Sequence, residues 1–126
     1  MTDATTAALR ACATGLYPGE AGVELLISHG GFLHRRDFAA FVRTGTSITD
    51  GTTQMAQVDW DAAIGALHAG RLPASGGEQR ILQLAASIGA GTPVSLRDAI
   101  PGLDNRNLQL VITAIQHTAG RRPPRR

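Results

Sequence analysis

The run Ser75-Gly76-Gly77-Glu78 constrains this chain more than any other. A serine three residues ahead of a glutamate has capping-box spacing, so each side chain satisfies a backbone N–H that the first helical turn leaves open. Ile81, Leu84, Ala85 and Ile88 follow at i, i+3, i+4 and i+7, one apolar stripe of a helix. A second helix is announced in the same way. Asp104 is a good N-cap, and Leu103 before it can staple onto Leu108. Leu108, Val111, Ile112, Ile115 and Ala119 then form its stripe, with Gly120 at a left-handed C-terminal cap. Two such stripes have to bury themselves against each other and against the preceding chain, which makes the fold helical.

The earlier residues supply further helices. Thr2 or Asp3 can cap a first one, with Leu9, Cys12, Ala13 and Leu16 on one face and Gly15 at its end. Cys12 on that face reads as a small buried hydrophobe rather than a reactive thiol. Pro18 suits the first turn of a second helix, wetted along Glu20, Glu24 and Ser28 and stopped by Gly30-Gly31. The spacing predicts a third over residues 34–44, with Phe38, Phe41 and Val42 inward and Arg35, Arg36 and Arg43 exposed. A helix-turn-helix reader of DNA fits this unit poorly, because Arg36 or Asp37 falls where that motif packs inward. Residues 46–57 are polar and rich in Thr and Ser around Asp50-Gly51. They are either a solvated connector, the simpler account, or a small hairpin closed by a tight primed turn. Asp59 caps a fourth helix with the stripe Trp60, Ala63, Ile64 and Leu67, ended by Gly70 and Pro73. Between the last two helices, a single capped turn before Pro101 lets Val94, Leu96 and Ile100 plug the bundle end.

Charge narrows the function classes. The chain of 126 residues carries net charge +2, but four of its twelve arginines lie in the last six residues and there is no lysine. Residues 1–120 hold eight arginines against ten acidic residues, so the body is mildly acidic and lacks the basic face of a nucleic-acid-binding domain. The tail, residues 121–126, has two prolines and nothing to bury, and reads as disordered. One cysteine excludes an internal disulfide framework, no apolar run reaches the roughly 18 residues of a membrane span, and the N-terminus lacks signal-peptide character. A cytoplasmic protein is expected. His29, His34, His68 and His117 include no i, i+4 pair, and neither a metal site, a cofactor nor a catalytic residue is expected. Asn105, Arg106 and Asn107 fill the first turn of the last helix, where an anion or a partner carboxylate can dock; capping with an Arg–Asp network is the simpler account.

The runs Ser75 to Leu82, Val94-Ser95-Leu96-Arg97-Asp98-Ala99 and Gly102-Leu103-Asp104-Asn105-Arg106-Asn107 resemble a pattern in short uncharacterised all-α proteins of high-GC actinobacteria. The resemblance implies a stand-alone domain; it carries no catalytic motif and brings no activity to transfer. The sequence therefore predicts an all-α domain over residues 1–120, a single bundle of five or six helices with one irregular polar loop or small hairpin. The expected function is a non-enzymatic protein-interaction or regulatory module, whose mobile, partner-facing segment is residues 48–54, with Thr49, Asp50, Thr52 and Thr53 as contacts. The alternative is a nucleic-acid-binding accessory protein using Arg35, Arg36, Arg43, Arg121 and Arg122.

Overall fold

Glycine 22 shows how closely the centre of the molecule is packed. In the computed structural model, which describes residues 3–121, a Cβ on Gly22 would lie 2.7 Å from the Cα of Gly89. The two glycines let helix α2 (Tyr17–His29) and helix α4 (Gly76–Ala90) cross nearly backbone to backbone. This pair is the spine of the fold, and each helix buries side chains into two cores. Val23 and Leu26 of α2 join Leu82 and Ala86 of α4 in one core; Ala21 and Leu25 join Ile81, Leu84 and Ala85 in the other.

Helix α1 (Asp3–Ala13), an antiparallel pair of strands and helix α3 (Trp60–His68) close the first core. The short helix α5 (Leu96–Ala99) and the final helix α6 (Asn105–Thr118) close the second. The local signals that place these helices hold. Ser75 Oγ accepts from the Glu78 amide at 3.2 Å while Glu78 Oε1 accepts from the Ser75 amide at 2.9 Å. Asp59 and Asp104 each accept from the third helical amide of their helices. Gly30 ends α2 with φ 83°, a left-handed conformation a side chain would strain.

The all-α expectation is corrected over residues 34–58, where the small hairpin held as the alternative to a polar loop is what the chain forms. Instead of a third helix, two 3-10 turns, Phe32–His34 and Phe38–Phe41, lead into strand β1 (Val42–Thr46), which pairs antiparallel with β2 (Gln54–Val58). Phe38 is buried as expected. Val42, Thr44 and Thr46 are β-branched and poor in helices, and Gly45 is worse, so the chain extends where the apolar spacing had suggested another turn. The polar stretch thereby becomes the hairpin's loop and second strand, in which Ala56 and Val58 face the core and Gln57 faces water.

Six inward assignments also fail. Cys12 is exposed and Leu16 is 74% exposed: the last turn of α1 overhangs its core, leaving a cleft of about 220 Å³ bordered by both. Leu96 is 61% exposed, so Val94, Ala99 and Ile100 cover the bundle end without it. On α6, Val111 and Ala114 face the core with Asn107, whereas Ile112 and Ile115 are 37% and 54% exposed and Ala119 is exposed. That helix is turned from the expected facing because its inner side must approach α2 closely. Small or polar residues allow the approach.

Candidate interaction surface

The loop joining β1 to β2 is built around one carboxylate. Thr46 faces Gln54 at the last rung of the ladder, and the Ser47 amide donates to the Thr53 carbonyl at 2.8 Å, extending the closure into the loop. Asp50 Oδ1 accepts from the amides of Thr52 and Thr53, both at 2.9 Å, and the Thr53 hydroxyl donates to Oδ2. The Gly51 amide donates to the Ser47 carbonyl at 2.8 Å, and the Thr49 amide to Ser47 Oγ at 3.2 Å. The arrangement is an Asx-type turn rather than the two-residue primed turn that the hairpin alternative implied, because only Gly51, at φ 69°, is left-handed and a type I′ turn needs two such residues.

The hydroxyl of Thr53, then the Thr53 and Thr52 amides, lower the Asp50 pKa to about 2. Its negative charge is therefore present throughout the physiological range. The same turn leaves Ile48 fully exposed, at 102% of the reference value. Thr49, Asp50, Thr52 and Thr53 are thus brought together, but Thr53 and Asp50 spend polar atoms on each other. Ile48, at the start of the expected partner-facing segment, stands beside them as its one exposed aliphatic side chain, signalled by a lone isoleucine in a polar run.

The arginine face is less available. Arg35 forms a fork with Asp37, at 2.9 and 2.6 Å, donates to the Pro73 carbonyl, and lies 5.3 Å from the centre of the Phe32 ring. Hydrogen bonding to Arg35 holds the Asp37 carboxyl below its ordinary range. Arg43 pairs with Asp59 at 2.7 Å and, with the Ala62 amide, lowers that carboxyl too. Arg36 is exposed, as is Arg121, whereas Arg122 lies outside the described residues.

Asn105, Arg106 and Asn107 diverge. Asn105 is exposed, and Arg106 reaches back to the Ser28 and His29 carbonyls at 3.0 and 3.3 Å. Asn107 is buried with its Oδ1 unpaired, and its Nδ2 lies close to Gly77. The Asp104 carboxylate occupies the Asn107 amide, one of the first-turn amides an incoming anion could use.

A second polar cleft, of about 410 Å³, lies between α1, α2 and the end of α6 and was not anticipated. His117 Nε2 is 2.8 Å from Glu20 Oε1, and Arg10 Nε donates to Glu24 Oε1 at 2.6 Å. The only hint of it was the i, i+4 pair of glutamates on α2. Among the described residues no group of three or more His, Cys, Asp or Glu side chains is placed to hold a metal, and no helix is long and apolar enough to cross a membrane. No protein-family model, curated protein or solved structure matches the chain.

Proposed function

We propose that this chain is a small non-enzymatic protein-interaction or regulatory module of the cytoplasm, meeting its partner through the β1–β2 tip. The observation that carries the reading is Ile48, fully exposed on a turn that Asp50 holds in shape. A loop ordered before binding loses less entropy on docking, and a single aliphatic side chain can act as the anchor that enters a partner's pocket. The matching partner offers an apolar pocket with donor groups at its edge, facing the Asp50 carboxylate.

Capture from the source cell tests this. The wild-type chain retains a protein that Ile48→Ser loses, and nuclease leaves the capture intact. Retention by Ile48→Ser removes the tip from the interface. Loss on nuclease treatment, together with DNA binding that weakens steeply with salt, would favour the nucleic-acid alternative instead. Weighing against that alternative, Arg35 and Arg43 each carry a carboxylate of their own. Amide exchange checks the ordering: Gly51, Thr52 and Thr53, whose amides all donate within the turn, should exchange more slowly than Ile48.

A further inference from the structure

Strand β1 has an open edge. The Asp59 amide donates to the Phe41 carbonyl and the Ser47 amide to that of Thr53, which fixes the phase of the ladder. Odd-numbered residues of β1 exchange bonds with β2, and even-numbered ones point their main-chain groups away from it. At Val42 the outward N–H turns back to the Ala39 carbonyl. Among the described residues nothing bonds the N–H or C=O of Thr44 and Thr46, or the Val42 carbonyl. Thr44, Gly45 and Thr46 are exposed, and the main neighbours of β1 are β2 and the preceding 3-10 turn. Edge strands are commonly guarded by a lysine, a proline or a bulge. Here the register runs unbroken from Val42–Val58 to Thr46–Gln54, and the one charged side chain, Arg43, is drawn over β2 by Asp59.

We propose that this edge pairs with the same edge of a second copy of the chain, antiparallel, about a two-fold axis through Thr44. A row of unpaired main-chain donors and acceptors specifies an extended backbone as its cover, and a two-fold axis presents the same row in return. In this register each Thr44 exchanges N–H and C=O with its counterpart, and each Thr46 N–H donates to the other copy's Val42 carbonyl. Both free donors of the edge are then used, and Val42, whose N–H is already bonded, serves only as an acceptor. The side chains agree. Thr44 meets Thr44 and Val42 meets Thr46, β-branched pairs that suit a ladder. Arg43 falls opposite Gly45, which has no side chain to collide with it, and the two Arg43 groups stand only diagonally. An axis at Thr46 would set Val42 opposite Asp50, inside the turn; one at Val42 would set Thr44 opposite Ala40, inside the 3-10 turn. The axis at Thr44 alone lays strand on strand, and it joins the hairpins into one sheet in the order β2-β1-β1-β2. The bonds belong to the main chain, so Ile48→Ser leaves them in place, and this reading and the hairpin-tip reading fail separately.

Sedimentation of the full chain from roughly 1 µM to 1 mM should show a monomer–dimer equilibrium that Thr44→Pro weakens about tenfold or more. Proline at that position removes only an outward N–H, so the bonds to β2 remain and the circular dichroism should be unchanged. Thr46→Pro blocks the same edge at a second point. Amide exchange reads the pairing in the unaltered chain. The Thr44 and Thr46 amides should exchange freely at the dilute end and about tenfold more slowly at the concentrated end, while the Arg43 amide, bonded to β2 throughout, keeps its rate. A wild-type chain that stays monomeric to about 1 mM, a dimer that both prolines leave untouched, or Thr44 and Thr46 exchange that is independent of concentration would each overturn the proposal.

Discussion

Helices α4 and α6 begin alike and are held in place differently. Each starts with an oxygen that accepts from the third helical amide, Ser75 Oγ in one and Asp104 in the other. Each is followed by an apolar stripe. In α4 the stripe residues Ile81, Leu84 and Ala85 are at most 2% exposed, because α4 has neighbours on both flanks. In α6 only the inner residues Val111 and Ala114 and the uncharged Asn107 are buried. Polar clasps hold its two ends to α2: Arg106 on the Ser28 and His29 carbonyls, and His117 on Glu20. A cap is local chemistry and survives any facing. Which side of a helix goes inward is decided by what stands opposite.

The sharpest way to break α4's side of this contrast is to separate it from α2. Gly22→Leu has no accessible rotamer when even a Cβ meets backbone at 2.7 and 2.8 Å, and should abolish cooperative unfolding altogether. Gly89→Ala, whose Cβ would meet Gly22 Cα at 3.4 Å and the Trp60 ring at 3.5 Å, should fall within about 1 kcal/mol of wild type. Equal damage from both in a urea melt would mean the crossing is looser than described.

Truncating the stripes compares the two helices directly. Ile81→Ala removes a side chain at 0% exposure and should cost about 3 kcal/mol, a transfer loss plus a cavity. Ile115→Ala, at 54% exposure, should cost less than about 1 kcal/mol in dilute solution. Reversal of that order by chemical denaturation would turn α6 back toward the facing its spacing alone suggested.

Much of this architecture was legible because it is written in short-range chemistry. The caps at Asp59, Ser75 and Asp104, the stop at Gly30 and the stripes of α3 and α4 all depend on residues within a turn or two of one another. The α6 facing was not, because Leu108, Ile112 and Ile115 are as apolar as the residues that are buried, and only the position of α2 distinguishes the two sides. The strand at Val42 was hidden by Phe38 and Phe41, whose spacing mimics a helix, although the β-branched alternation after them was present. At the candidate site, Asp50-Gly51 correctly marked a reversal. The exposure of Ile48 depended on the path of the whole loop.

The clasps offer smaller tests. Arg106→Ala withdraws a charged donor from two carbonyls at the end of α2 and should cost about 1 kcal/mol, less than Ile81→Ala and comparable to a single charge-assisted hydrogen bond at a surface. No change in the urea midpoint would mean that the buried face of α6 suffices by itself.

The least effect expected is the pH dependence that the same clasp imposes on His29. Burial, then the nearby Arg106 guanidinium, lowers the His29 pKa below its ordinary 6.5, while Glu78 and Asp104 pull the other way. Its Nδ1 accepts from the Gly31 amide at 3.3 Å, which also requires that nitrogen unprotonated. The native state therefore binds this proton less readily than the unfolded chain does. The stabilisation is complete above pH 6.5 and is lost as the pH falls through the lowered value. Asp37 and Asp59 titrate in a separate window, since their folded values lie below 3.8 and their contributions are lost only in stronger acid. A histidinium at a helix C-terminus would ordinarily gain from the dipole, so two effects of opposite sign compete at one ring. Because the ring is only half-buried, the net effect is small. Lowering the pH from about 7.5 to about 5.5 should drop the melting temperature by no more than roughly 2 °C beyond the drop seen in His29→Gln. A wild-type chain that melts higher at the acid end, with the rise absent in His29→Gln, would show that the dipole of α2 outweighs burial and Arg106 together.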